Sequence, residues 1–251
     1  MSISRNTTLA PMVDKLRMWG EMSKEDEAAI LALPHTLRRL RGGSFIAREG
    51  DSPQQTCLLL SGYAIRHKLA GDGGRQIFSI HMNGDIVDLQ NSMLQWSDHN
   101  VEALTTVETA FIPMDALHRL IAAHPNVAHL LWYETLVDGS IFREWKLNIG
   151  RRDARARMAH ILCEFAMRLK RAGLGELLSY DLPMTQDDLS DVLALSRVHV
   201  SRVIKSLTDE GYITKTKRAI RIDDWERLRQ IGDFDPRYLQ YNGARAAAVA
   251  A

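Results

Sequence analysis

The sequence predicts an α+β chain: a small antiparallel β-domain, then a long helix, then a winged helix-turn-helix. Three observations carry that prediction. Short apolar runs between Thr36 and Pro113 are punctuated by glycine at turn spacing. From Pro125 the apolar residues change to helical spacing and keep it to Ile149. Thr185–Leu207 then reads as two short amphipathic helices around a tight break, with a basic hairpin after them. At 251 residues the chain is long enough for one large or two ordinary domains. The expected divisions are 1–124, 125–150, 151–235 and a tail at 236–251.

Residues 1–11 read as a loose polar start, followed by a short helical region with Met12, Leu16, Met18 and Trp19. Ser23 with Asp26 three positions on predicts a capped helix through Ile30 and Leu33, ended by Pro34. The strands that follow are separated by Gly42-Gly43, Gly50-Asp51, Ser61-Gly62, Gly71–Gly74 and Asn83-Gly84-Asp85. Strands this short with turns this frequent predict a small antiparallel barrel or sandwich. Met114–Ala123 reads as a short helix. In the long helix, Leu131, Val137, Ile141, Phe142, Trp145 and Ile149 share one broad stripe, and Trp132, Leu136 and Leu147 form a smaller second one. Two apolar faces predict that one packs on the strand domain and the other pairs with a second copy, and the six broad-stripe residues are assigned to the dimer contact. The other reading is a core helix of a larger single domain. A hinge is expected near Asp153. Ala154–Arg171 is a further helix, with Met158, Ile161, Leu162, Phe165 and Leu169 inward. Tyr212–Thr214 and Ala219–Ile222 read as strands around Lys215–Arg218, the wing. A last helix covers Asp223–Ile231, and the Ala-rich tail from Gly243 is expected to be disordered.

Composition excludes several classes. Hydrophobic residues make up 45% and charged residues 25%, and no apolar run approaches a membrane span. The N-terminus lacks a charged-then-apolar signal pattern, so a cytoplasmic protein without a membrane partner is expected. Cys57 and Cys163 cannot supply the four thiolates of an ordinary iron–sulfur cluster and read as buried apolar fillers. No metal-ligand spacing, glycine-rich phosphate loop or nucleophile motif is present, so neither enzyme chemistry nor a metal site is expected. The net charge is +1, but Arg151–Ile222 holds 14 Lys and Arg against 9 Asp and Glu, an excess of 5 positive charges. The basic half is the half with the helix pair.

Within that pair Leu189, Val192 and Leu193 form one apolar stripe and Val200, Val203, Ile204 and Leu207 the next. Leu195 is placed to fill the gap between the helices, and Ser196 to cap the second. The remaining face carries Arg197, His199, Ser201, Arg202 and Lys205. It is cationic and rich in donors, on a helix whose other side is committed to packing, which is what reading the major groove requires.

Gly50-Asp51, Leu60-Ser61-Gly62, Gly84-Asp85-Ile86-Val87 and, above all, Thr185-Gln186 through Ser196-Arg197-Val198-His199-Val200-Ser201-Arg202 make the chain resemble the Crp/Fnr family of bacterial transcription regulators. The resemblance spans residues 20–240. It implies a cyclic-nucleotide-binding-like antiparallel β-roll of jelly-roll type, a long dimerisation helix and a C-terminal winged helix-turn-helix. It further implies a homodimer on palindromic double-stranded DNA, with RNA polymerase as a partner. Ser196, Arg197, Val198, His199, Ser201 and Arg202 then take base-reading and neighbouring phosphate positions, with Arg202 assigned to guanine O6 and N7. Thr185, Gln186, Lys205, Lys215, Lys217 and Arg218 are assigned to phosphates.

The sequence departs from the family at several points. Val198 stands where many members have a glutamate that accepts from cytosine, and Ala194 where many have a turn glycine. In the effector region implied by the resemblance, Gly84, Asp85, Ile86, Val87, Asp88, Asp98, His99 and Asn100 line up with no arginine between them. A phosphate there would meet carboxylates, so cAMP is not expected to bind tightly and no cofactor is assigned. The alternative is a regulator gated by a small molecule in the barrel, with haem or a cyclic nucleotide as further candidates.

Overall fold

Frequent turns and β-rich runs produce the expected strands. In the computed structural model, which describes residues 7–241, β1 (Thr36–Leu40), β2 (Phe45–Ala47), β3 (Gln55–Ser61), β4 (Ala64–Leu69), β5 (Arg75–His81), β6 (Asn100–Ala103) and β7 (Val107–Pro113) form two sheets. One has the order β1-β7-β3 and the other β2-β6-β4-β5. Pairing is antiparallel, with Cys57 opposite Phe111 and Arg66 opposite Val101. Ala47, Ala64, Val101 and Ala103 from one sheet meet Cys57, Leu59, Val107 and Phe111 from the other in a common core. Fully burying a leucine such as Leu59 contributes roughly 1.5–3 kcal/mol. Gly62 closes the β3–β4 turn at φ +79°, and a Cβ there would lie 2.3 Å from the Thr106 carbonyl oxygen. Both the backbone conformation and the space exclude a side chain.

Strands β1–β4, β6 and β7, with Phe78–His81 of β5, belong to one of two compact units, whose described residues are 7–70, Phe78–Gly139 and 240–241. It also holds α1 (Ala10–Arg17), α2 (Lys24–Leu31), α3 (Met114–Ala123) and the first part of α4 (Pro125–Arg151). Ser23 caps α2 as expected, its hydroxyl accepting from Asp26 N at 3.0 Å. The short helical region expected around Met12 and Leu16 is α1, although its first residues fall within the stretch expected to be loose. Residues 1–6 lie outside the described part, but α1 begins at Ala10, with Leu9 and Met12 fully buried.

The second unit comprises Gly71–Ile77 and Ser140–Leu239. Asp153 caps α5 (Ala154–Arg171), accepting from Ala156 N at 2.8 Å. Then come β8 (Ser179–Asp181), α6 (Gln186–Leu193), α7 (Arg197–Asp209), β9 (Ile213–Thr216), β10 (Ala219–Ile222) and α8 (Trp225–Ile231). The wing is a three-stranded sheet ordered β8-β10-β9. The hairpin is evident from its apolar spacing and β8 is not, because Ser-Tyr-Asp is too short to show a period of its own. A buried polar cluster ties α4 to α5. The Glu164 carboxylate accepts from Trp145 Nε1 at 3.0 Å and from Tyr238 OH at 2.6 Å, and Tyr238 OH also meets His160 Nε2 at 3.1 Å. Tyr238 and the fully buried Leu239 lie in a 3-10 turn, Pro236–Leu239, so the tail expected from 236 is ordered and packed through 239. The Ala-rich part from Gly243 lies outside the described residues.

The stripe assigned to dimer contact needs correction. Leu131, Val137 and Trp145 are 3%, 5% and 4% exposed within the single chain, and Ile141 and Ile149 are half-buried. Of the six only Phe142 is exposed. The solvent-facing apolar residues of α4 are Trp132, Leu136, Phe142 and Leu147. The broad stripe faces inward because it carries the larger apolar surface. The chain's own core takes that surface first, and the smaller stripe is left outside.

Candidate nucleic-acid interface

Local chemistry sets the geometry of the helix pair. Thr185 and Asp188 form a capping box at the start of α6. The Thr185 hydroxyl accepts from Asp188 N at 3.2 Å, and the Asp188 carboxylate accepts from Thr185 N at 2.9 Å. The same carboxylate receives Arg75 Nη2 at 2.8 Å, while Arg75 Nε reaches Asp191 at 2.7 Å. Ala194 ends α6 in the left-handed region, φ 51° and ψ 49°. Arg157 Nη1 donates to the Leu193 carbonyl oxygen at 2.9 Å, which satisfies an acceptor at that helix end. Ser196 then caps α7, its hydroxyl accepting from His199 N at 3.3 Å. Leu189, Val192 and Leu193 on α6 and Val200, Val203 and Leu207 on α7 are buried.

That packing leaves one polar face outside. Ser196, Arg197, Val198, His199, Ser201, Arg202 and Lys205 are all exposed, Val198 to 61%. Thr185 and Gln186 are exposed where α6 begins, and Lys217 and Arg218 are exposed at the two-residue turn of the wing. Lys215 behaves differently. It is half-buried, and its ammonium donates to the Lys217 carbonyl oxygen, so it braces the wing tip. Arg197 Nε pairs with Asp187 at 2.5 Å and Lys205 with Asp209 at 2.6 Å, both in solvent where such pairs are weak. Arg202 has no ion pair among the described residues and is free to engage a ligand. A groove of about 350 Å³ runs along α7, lined by Arg155, Ser196, Val198, His199, Arg202, Val203 and Ser206. Arg155 was not among the residues that the sequence pointed to. The only signal was a cation in the first turn of α5, which does not disclose what lies opposite.

The polar residues aligned with an effector site are already engaged by other groups of the chain. Asp85 accepts from Met82 N at 3.0 Å and from Lys15 Nζ at 2.7 Å, closing the turn at Gly84. Asp88 accepts from Thr56 Oγ1 at 2.8 Å and Cys57 N at 3.0 Å, and burial pushes its carboxyl above the usual range. Ile86 bridges to Leu58, and Val87 lies in the core. The exposed Asp98 pairs with His99 Nδ1 at 2.6 Å, and Asn100 accepts from Glu49 N at 3.1 Å.

The expectation of carboxylates without a guanidinium needs revision. Arg66 enters from β4, 6% exposed, and donates to the Val87 carbonyl oxygen at 2.8 Å, to Gln90 Oε1 at 3.3 Å and to Asp138 of α4. Burial pushes Asp138 up, but Arg66 and His81 outweigh it and hold its carboxyl below the usual range. Burial, then the Arg66 charge, pushes His81 down to about 4 and lowers His99. An arginine is therefore present, but its donors are taken by the chain itself. Cys57 and Cys163 are buried, and burial pushes both thiols up, as fillers should behave. Among the described residues no group of three His, Cys, Asp or Glu could hold a metal, and no helix is long and apolar enough to cross a membrane.

Comparison with known proteins gives a consistent result over both units. The model of the cyclic nucleotide-binding domain matches residues 37–124, and that of the Crp-like helix-turn-helix domain matches residues 156–231. The chain is 27% identical over 213 residues to the transcriptional activator protein FnrL of Cereibacter sphaeroides, spanning 83% of this chain and 85% of that protein. It is 24% identical over 221 residues to the nitrogen fixation regulation protein FixK of Azorhizobium caulinodans, spanning 85% and 88%. Among solved structures, FixK2 from Bradyrhizobium japonicum superposes with a TM-score of 0.73 at 26% identity, covering 79% of this chain and 98% of that one.

Proposed function

The chain belongs to the Crp/Fnr family of DNA-binding transcription regulators, and from that premise we propose that it acts as a homodimer on a two-fold symmetric DNA site. The observation that carries the reading is the exposed face of α7, where Arg197, Val198, His199, Ser201 and Arg202 stand clear of a capped and packed helix pair. Arg202 reads a guanine, because a guanidinium presents two parallel donors to O6 and N7. Val198 contacts a thymine methyl. Thr185, Gln186, Lys217 and Arg218 hold phosphates around it, and Lys215 supports the wing tip that carries two of them.

The dimer seam is the exposed side of α4, centred on Trp132, Leu136 and Leu147. Relatives named as transcriptional activators support an activator here, and RNA polymerase in the cytoplasm is the partner this reading assigns. The β-roll acts without cAMP, because Arg66 is already neutralised by Asp138 and the nearby Asp85 and Asp88 are buried acids. Isothermal titration with cAMP is expected to give no micromolar binding, and a micromolar Kd would remove this part of the reading. The DNA claim is tested by anisotropy of labelled duplexes in rising salt. Affinity should fall linearly on a log–log plot as phosphate-bound counterions are displaced, and a flat line would exclude DNA as the partner.

A further inference from the structure

Glu210, at the C-cap of α7, offers its carboxylate to Ser206 and Arg155, and more weakly to Tyr212. Oε1 accepts from Ser206 Oγ at 2.7 Å and Oε2 from Arg155 Nη2 at 2.6 Å. Both donors also line the groove beside α7, together with Ser196, His199 and Arg202, and no carboxylate lines it. A carboxylate and a phosphodiester present the same two-oxygen edge to a guanidinium, so one can replace the other on these donors. Ser206 and Arg155 hold the Glu210 carboxyl below its usual range, which keeps it anionic at neutral pH. The Arg155–Glu210 pair is open to water, each side chain 37% exposed, so breaking it costs little. Arg155 also lies 5.5 Å from the Tyr212 ring centroid, a contact that limits where its guanidinium can go when Glu210 lets go.

We propose that Arg155 is a DNA-phosphate ligand and that Glu210 is its resting counter-ion, an internal anion that a backbone phosphate displaces when the groove beside α7 is filled. The inference rests on the DNA-binding reading of α7 and adds to it a residue from α5 and an element of self-competition. Glu210 lowers affinity for every duplex alike, because its carboxylate must surrender Arg155 and then remain near a polyanion. Arg155 adds affinity without sequence preference, as a phosphate contact does.

The test measures binding of the full chain to its selected site and to a random duplex over a range of NaCl concentrations. R155Q should weaken both complexes by a similar factor, on the order of tenfold, and reduce the log–log salt slope by about 1. E210Q should strengthen both several-fold. The double variant should gain less over R155Q than E210Q gains over the wild type, because the larger part of the effect of Glu210 runs through Arg155. Unchanged affinity and slope in R155Q, or an E210Q gain of undiminished size in the double variant, would overturn the proposal. If R155Q folds poorly by circular dichroism, E210Q decides alone: a gain supports the exchange and no change refutes it. A wild-type chain that binds no duplex in a salt-dependent way would instead defeat the DNA-binding reading, so the two failures are told apart.

Discussion

Ala194 sits in a left-handed backbone conformation that costs an L-residue roughly 1 kcal/mol or more. Ala194→Gly should therefore stabilise the helix pair by about 0.5–1 kcal/mol in denaturant unfolding, with DNA affinity unchanged. Arg202→Ala should weaken binding to the selected site by roughly 1–3 kcal/mol and relax preference at one guanine, measured by competition with single-base variants. Val198→Glu should move preference at the neighbouring position from thymine toward cytosine, because a carboxylate accepts from N4 and valine cannot. Serine caps were legible in the sequence. Ser23 and Ser196 act on an amide three positions away, a spacing visible in a string, whereas the equally spaced Thr185–Asp188 box was not assigned. The Arg66–Asp138 and Arg155–Glu210 pairs were not, since their members lie 72 and 55 positions apart and only tertiary structure joins them.

Within an element, periodicity reports that two faces exist but not which one the chain keeps for itself. Helix α4 illustrates the point: Leu131, Val137 and Trp145 pack inward, leaving Trp132 and Leu136 at 64% and 54% exposed. Trp132→Glu and Leu136→Glu should give a folded monomer with greatly reduced affinity for the symmetric site, read by light scattering and anisotropy. Val137→Ala should instead lower stability by about 2 kcal/mol through a cavity in its own core. Close packing sets a second limit at the end of α8. A Cβ on Gly232 would lie 2.6 Å from His160 N on α5, a backbone atom that cannot swing aside. Gly232→Ala should accordingly destabilise by roughly 1–3 kcal/mol, with far-UV dichroism giving the melting shift. Nothing in the sequence marked Gly232, because its φ of −78° is ordinary and the constraint is entirely the neighbouring helix.

At the scale of the whole molecule, acid and DNA probe different parts of the account. His81 and His160 are each pushed down to about 4, by burial first and then by Arg66 or Arg152. The folded chain therefore binds fewer protons than the unfolded one between pH 6.5 and 4. Stability is fully present above the unfolded value near 6.5 and is lost as pH falls toward 4, by at most about 3 kcal/mol for each histidine. Asp88 and Glu164, raised by burial, act with the opposite sign and offset part of that loss. Denaturant midpoints at pH 7 and pH 5 should differ in this direction, and NMR titration should find both imidazoles still neutral at pH 5.5. The order of β-domain, long helix and winged helix pair was readable from changes of period along the chain. The central claim, that paired copies of the α7 face read DNA, is tested most directly by selecting bound sequences from a random duplex library with the full chain. The enriched pool should carry two inverted half-sites, each with a guanine, their centres about one helical turn (roughly 34–36 Å) apart. A pool with no enriched sequence, or a single asymmetric site of one half, would contradict it.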